Sequence, residues 1–295
     1  YKKIMTGYLA LTNAETTKKS GNYQGSNFTM NVQRYLMKNV PAFQEEPYMT
    51  SRTDYISKIK FELSRIDIPG SINKQVMPPS YAALSRKLAE SESFGEKLKK
   101  ARFMKNEIPQ IVGEATDPKE KIIKIYEHFR DYFSVDYDVL SENLKKINDL
   151  KKGFPQDINM LMIATLNEAG FDAHAVRLST KSHGKLHPSY AMKSSFNKTV
   201  CHVKNGEEEY LLDASNKSLP FNTLNKNCLN GKGMLVTDGN FKWVDLNPTK
   251  KSKKMSTGNF VIDDEGYLSG KLNVSRSGYN GIEFRSQHAK DIVDY

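Results

Sequence analysis

The stretch from Lys151 to Gly170, KKGFPQDINMLMIATLNEAG, constrains the fold more than any other. Gly153 interrupts the preceding segment. Pro155 suits a first helical position, where its missing N–H would have no intrahelical partner anyway. Asp157 then places negative charge in the first turn, at the positive end of the macrodipole. From Ile158 to Leu166 the pattern is apolar on most sides: Ile158, Met160, Leu161, Met162, Ile163, Ala164 and Leu166. An amphipathic surface helix carries one apolar stripe, whereas this one asks for protein all around it. Gly170 supplies the stop. The reading is a buried helix over 156–169, then a strand at Ala173–Leu178.

The flanking sequence supplies layers to cover such a helix. Residues 76–150 turn helical, with Tyr81, Leu84 and Leu88 at helical spacing. Thr116-Asp117-Pro118 reads as a helix start, followed by a run from Ile122 to Phe133 with its aromatics at core spacing. After the buried helix come short strands at Phe196–Val203, Glu209–Asp213, Met234–Val236 and Phe241–Val244. Helices followed by an antiparallel run of strands describe an α+β module. Residues 1–75 read as mostly β, with alternation at Phe28, Met30 and Val32 and at Ile59, Phe61 and Leu63. Residues 246–295 read as β again, with Phe260–Ile262 and Tyr267–Val274 flanking the turn Asp263-Asp264-Glu265-Gly266. A chain of 295 residues accommodates these as three regions: 1–75, expected as the C-terminal part of a larger β domain, the α+β module at 76–245, and 246–295, expected as the start of a C-terminal β domain.

Charge and cysteine content narrow the function less. The net charge is +10, with Lys250, Lys251, Lys253 and Lys254 as the densest run, in a segment that reads as a linker. An anionic partner and a merely solvated lysine surface both fit this balance. No zinc-finger, helix-turn-helix or RNA-stacking pattern is present, so no nucleic acid is expected. No apolar run approaches the ~20 residues that span a bilayer. Cys201 and Cys228 form no C-x-x-C pair and read as two free thiols, at least one of them buried. His183 and His187 are four apart, but Gly184 and Pro188 argue against a helix there, so no metal site and no cofactor is expected. Cys201 and His202 are adjacent in a strand, and neighbouring strand residues point to opposite faces.

A resemblance adds to this reading. Asp157-Ile158-Asn159, Glu168-Ala169-Gly170, Leu178-Ser179-Thr180, Phe196-Asn197, Leu211-Leu212-Asp213-Ala214 and Cys228-Leu229-Asn230-Gly231 follow, in order and spacing, the pattern of transglutaminase-like domains in a group of exported, multidomain Bacteroidetes proteins. The resemblance implies a papain-like helical layer on an antiparallel sheet, flanked by β-rich domains, in a periplasmic or secreted protein. It also implies a Cys, His, Asp order at the helix start and on two successive strands. In that register the three positions are Pro155, Asn197 and Asp213. Proline offers neither nucleophile nor N–H, and asparagine is no general base near neutral pH. The expectation is therefore a degenerate site without catalytic residues. In it Asp157, Asn197 and Asp213 would serve binding, and the three triad positions would converge. The module would act as a binding or scaffolding domain for a protein or glycan of the cell envelope. The alternative is a cysteine-dependent hydrolase or acyltransferase that uses Cys201 or Cys228 as a displaced nucleophile.

Overall fold

A computed structural model describes the chain except for residues 1, 7–11, 24, 37, 39, 41, 48, 64, 67–74, 77, 140–142, 249–250 and 289–295. It divides into two units, residues 1–77 and 78–295.

The first unit is β-rich. Strand β1 (Lys2–Thr6), the long hairpin β2 (Thr12–Tyr23) and β3 (Ser26–Leu36), β4 (Lys58–Glu62), β5 (Arg65–Ile66) and β6 (Gln75–Val76) form two-stranded antiparallel pairs, β1 with β4, β2 with β3 and β5 with β6. The alternation at Phe28, Met30 and Val32 lies on β3, where the Phe28 ring covers Gly21 of the facing strand.

In the second unit, helices come first: α1 (Tyr81–Ala89), α2 (Gly95–Lys99), α3 (Ile108–Val112) and α4 (Pro118–Tyr132). Ser80 caps α1 by accepting from the Ala83 N–H, and Asp117 caps α4 by accepting from the Glu120 N–H. Pro118 opens α4 where no N–H is needed. A short parallel pair, β7 (Ser134–Val135) with β8 (Lys152–Gly153), brackets α5 (Leu144–Leu150). A Cβ at Gly153 would sit 2.6 Å from Cδ1 of the buried Ile147, which would have to move to admit it. Helix α6 (Pro155–Glu168) follows, with every residue from Asp157 to Leu166 buried. Its apolar side chains join those of α1, α4 and α5 and one face of the sheet in the main core.

That sheet is five-stranded and antiparallel, in the order β11-β10-β9-β12-β13, from β9 (Asp172–Leu178), β10 (Lys198–Asn205), β11 (Glu208–Leu212), β12 (Lys232–Leu235) and β13 (Trp243–Asp245). Residues paired across antiparallel strands share a face. Ala173, Ala175, Cys201, Val203 and Leu212 therefore face α6, while Val176, Val200, Leu235 and Val244 face away into a second, smaller core. The segment 213–231 runs from the β11 edge back to β12 and contributes Leu224 and Cys228 to that second core. The α+β architecture, a helical layer on an antiparallel sheet, is as expected.

The region after β13 departs from expectation twice. Lys253 and Lys254 do not lie in a linker. They open β14 (Lys253–Ile262), which pairs with β15 (Leu268–Ser277); Lys250 lies outside the described residues. After β15 the chain is not strand but helix α7 (Tyr279–Gln287). Gly278, with φ of +60°, turns it out of the hairpin, and the Ser252 hydroxyl accepts from the first N–H of the helix.

Candidate functional site

Asn159 is the polar hub between α6 and the sheet. It is fully buried. Its Nδ2 donates to the Thr199 carbonyl and to Asp213 Oδ1, each at 2.9 Å, and its Oδ1 accepts from the Ala214 N–H at 2.9 Å. One amide thus fixes the helix to β10 and to the end of β11.

Asp213 has almost no exposure, and its carboxylate is surrounded by donors. The Ser215 hydroxyl donates to Oδ1 at 2.6 Å and the Ser215 N–H at 3.2 Å. The Lys198 ammonium stands 3.0 Å from Oδ2 and donates to Ser215 Oγ at 2.7 Å. The Lys198–Oδ2 contact is a charge pair rather than a well-directed hydrogen bond. Burial works against ionisation of Asp213. The Lys198 charge and the bonds from Asn159 and Ser215 outweigh it and hold the carboxyl below its usual range.

Asn197 is not part of this group, contrary to the expected convergence. It is exposed and folds onto the turn that leaves β9, where its Oδ1 accepts from the Thr180 N–H and its Nδ2 donates to Thr180 Oγ1, both at 2.9 Å. The reason is register. Strand β10 begins one residue later, at Lys198, so Asn197 lies outside the ladder and pairs with the turn. The residue that meets Asp213 is Lys198. The side chain that β10 turns toward the helix start is Thr199.

The helix start itself is occupied by the protein's own groups. Pro155 is half-buried and contributes no polar side-chain atom. Beside it, Gln156 Oε1 accepts from Arg177 Nη1 at 2.8 Å. The same Nη1 donates to Thr199 Oγ1 at 2.8 Å, and Nη2 donates to the Phe196 carbonyl at 3.1 Å. Burial holds the Arg177 guanidinium down to about 10, still cationic at neutral pH. Asp157, expected as a binding residue, is buried, and its carboxylate is 2.8 Å from the Lys97 ammonium of α2.

The other candidate groups are dispersed. Cys201 is enclosed in the main core, and burial raises its thiol well above the ordinary range. Cys228 is buried in the second core and its thiol is pushed up to about 12, chiefly by burial and then by the Asp213 charge. Both are free thiols. His202 points to the face opposite Cys201, where its Nε2 lies 3.1 Å from Glu209 Oε2. His183 Nε2 lies 3.0 Å from the Ser194 carbonyl and His187 Nδ1 accepts from the Ser189 N–H, so each is held within its own loop region.

Sequence reasoning missed Lys198, Thr199 and Arg177. Their only signal is strand parity: Arg177 and Thr199 pair across β9 and β10 and face the helix together.

No protein-family profile matches this sequence. No curated protein matches it either. Among solved structures, a provisionally named protease from Parabacteroides distasonis ATCC 8503 superposes with a TM-score of 0.52 at 14% identity, over 84% of this chain and 43% of that one. The chain therefore spans less than half the length of that protein, and the likeness concerns the fold alone. A provisionally named cysteine protease from Cytophaga hutchinsonii aligns over 93% of this chain and 80% of its own at a TM-score of 0.34 and 10% identity, too loosely to bear on the argument.

Proposed function

We propose that the second unit is a non-catalytic, transglutaminase-like module that binds or scaffolds a peptide or glycan of the cell envelope. One observation carries this reading. Where acyl transfer needs a thiolate and a neutral base, the chain has Pro155 and a lysine ion-paired to the buried acid, at 3.0 Å. A lysine ammonium in an ion pair is a donor without a lone pair, and it offers a nucleophile no proton acceptor. The space that would join helix start and base is bridged by Gln156, Arg177 and Thr199. The displaced-nucleophile alternative fares poorly, because both thiols are buried and held neutral by burial. Export and the Bacteroidetes-type multidomain setting rest on the sequence resemblance and belong to the same proposal.

The test joins an activity and a binding assay. Purified protein is incubated with amide and amine-donor substrates, and separately with insoluble peptidoglycan, which presents both glycan strands and peptides. The expected result is no turnover above buffer and retention on the sacculus. Turnover of any amide by the wild-type chain, or no retention, would overturn the proposal.

A further inference from the structure

The hairpin of β14 and β15 has two unlike faces. In its register Lys254 pairs with Arg276, Ser256 with Val274, Gly258 with Leu272, Phe260 with Gly270, and Ile262 with Leu268. These residues share one face. On it the Phe260 ring lies over both glycines, where added Cβ atoms would come within 2.3 and 2.6 Å of it. The opposite face carries Met255, Val261 and otherwise polar residues, including Thr257, Asn259, Lys271 and Asn273. Among the described residues the apolar face is uncovered: Ile262 is 69% exposed, Leu268 63%, Leu272 57% and Phe260 48%. A lone two-stranded hairpin is marginal in water without such a face being covered.

Charge is distributed along the same strip. The turn end carries Asp264 and Glu265, and the open end carries Lys254 and Arg276. Lys254, Asp264 and Glu265 make no ion pair among the described residues. Arg276 stacks on the Phe284 ring at 4.2 Å and makes no ion pair among the described residues. Lys254, Arg276, Asn280 and Phe284 border a hollow of about 280 Å³ at that end, with Glu283, already paired to Lys226, on its rim. A strip that is acidic at one end, apolar in the middle and basic at the other is complementary to itself under a two-fold rotation.

We infer that this face is an interface between two copies of the chain. The two hairpins stack antiparallel, apolar face on apolar face, and each acidic turn meets the partner's Lys254–Arg276 end. A ten-residue hairpin face measures roughly 33 by 10 Å, so each copy buries well under the ~800 Å² of a standard interface. The association is accordingly weak and reversible, and it weakens with salt.

Sedimentation velocity over roughly 1 to 500 µM tests this, the upper range being where interfaces of this size assemble. The expected result is a mass that rises from one chain toward two. Ile262→Asp, at an exposed position, abolishes the rise. Asp264→Lys with Glu265→Lys also abolishes it, and adding Lys254→Glu with Arg276→Glu restores it. A single-chain mass throughout the range, association that survives Ile262→Asp, or charge reversal without rescue would each overturn the inference. The rescue arm keeps the result readable even if Ile262→Asp disturbs the hairpin.

Discussion

The Lys198 ammonium and the Asp213 carboxylate are held 3.0 Å apart, and both are largely out of water. The pair ties the start of β10 to the end of β11.

Lys198→Met should therefore destabilise the fold by about 3–5 kcal/mol, the range for leaving one charge of a buried pair alone. The Asp213 carboxyl, held below its unfolded value, contributes stability above that value and loses it as pH falls through the lower folded one. Without Lys198 the loss should begin at higher pH. Urea titration of the wild type and variant between pH 3 and 7 reads both effects. A variant as stable as the wild type at pH 7 would remove the buried-pair argument.

Asn159→Leu should cost about 2–4 kcal/mol, because it strands the buried Ala214 N–H and takes a donor from the Thr199 carbonyl and from Asp213 Oδ1, which keeps its bonds from Ser215. Leu161→Ala, in the same helix but in the apolar core, should cost about 2–5 kcal/mol through its cavity. The two are told apart by amide exchange. Asn159→Leu should deprotect Ala214 before the rest of the sheet, and uniform deprotection would contradict the hub role.

His202 gives a pH dependence of known sign. Burial lowers its pKa, against the opposing pull of Glu209, so the folded state binds its proton less readily than the unfolded chain does. Stability should fall as pH drops below the unfolded value of about 6.5. His128, also lowered by burial and then by Lys151, adds in the same direction. Glu209, depressed to about 2 by its bonds to His202 and Lys242, does not titrate in this window. His202→Gln keeps a donor for Glu209 and should flatten the slope between pH 7.5 and 5.5. An unchanged slope in the double variant with His128→Gln would refute the assignment.

Both thiols should resist alkylation in the native protein at pH 6–8 and both should react once the chain is denatured. Burial of Cys201 in the main core and of Cys228 in the second dictates this. Rapid native labelling of either would reopen the question of a displaced nucleophile.

Helix α6 was legible in the sequence because nothing but a surrounding core explains apolar residues on all its sides. The strands β9 to β11 were legible through alternation and Gly206. Lys198 was not, since a lysine at a strand start carries no signal in a chain with 44 lysines and arginines. The strand boundary that separates it from Asn197 is a matter of one residue, and one residue reverses the face. Arg177 was hidden for a related reason: a charged residue in an alternating strand reads as solvent-facing, yet here it faces a helix start. Helix α7 escaped because its apolar residues are few and its onset depends on the conformation of Gly278.

The strand order has a consequence for how the molecule assembles. Helix α6 and strands β9 to β11 follow one another and can meet as neighbours in the chain. Strand β12 reaches β9 only after the segment 213–231 has been laid across the far face, pairing Met234 with Arg177. Contacts of that span lose more chain entropy before they are rewarded. The helix–β9–β11 portion should then behave as an early, separately cooperative block, and β12 with β13 should dock late and release first. The second core, with Leu224 and Cys228, is the clasp whose closing marks completion of the sheet.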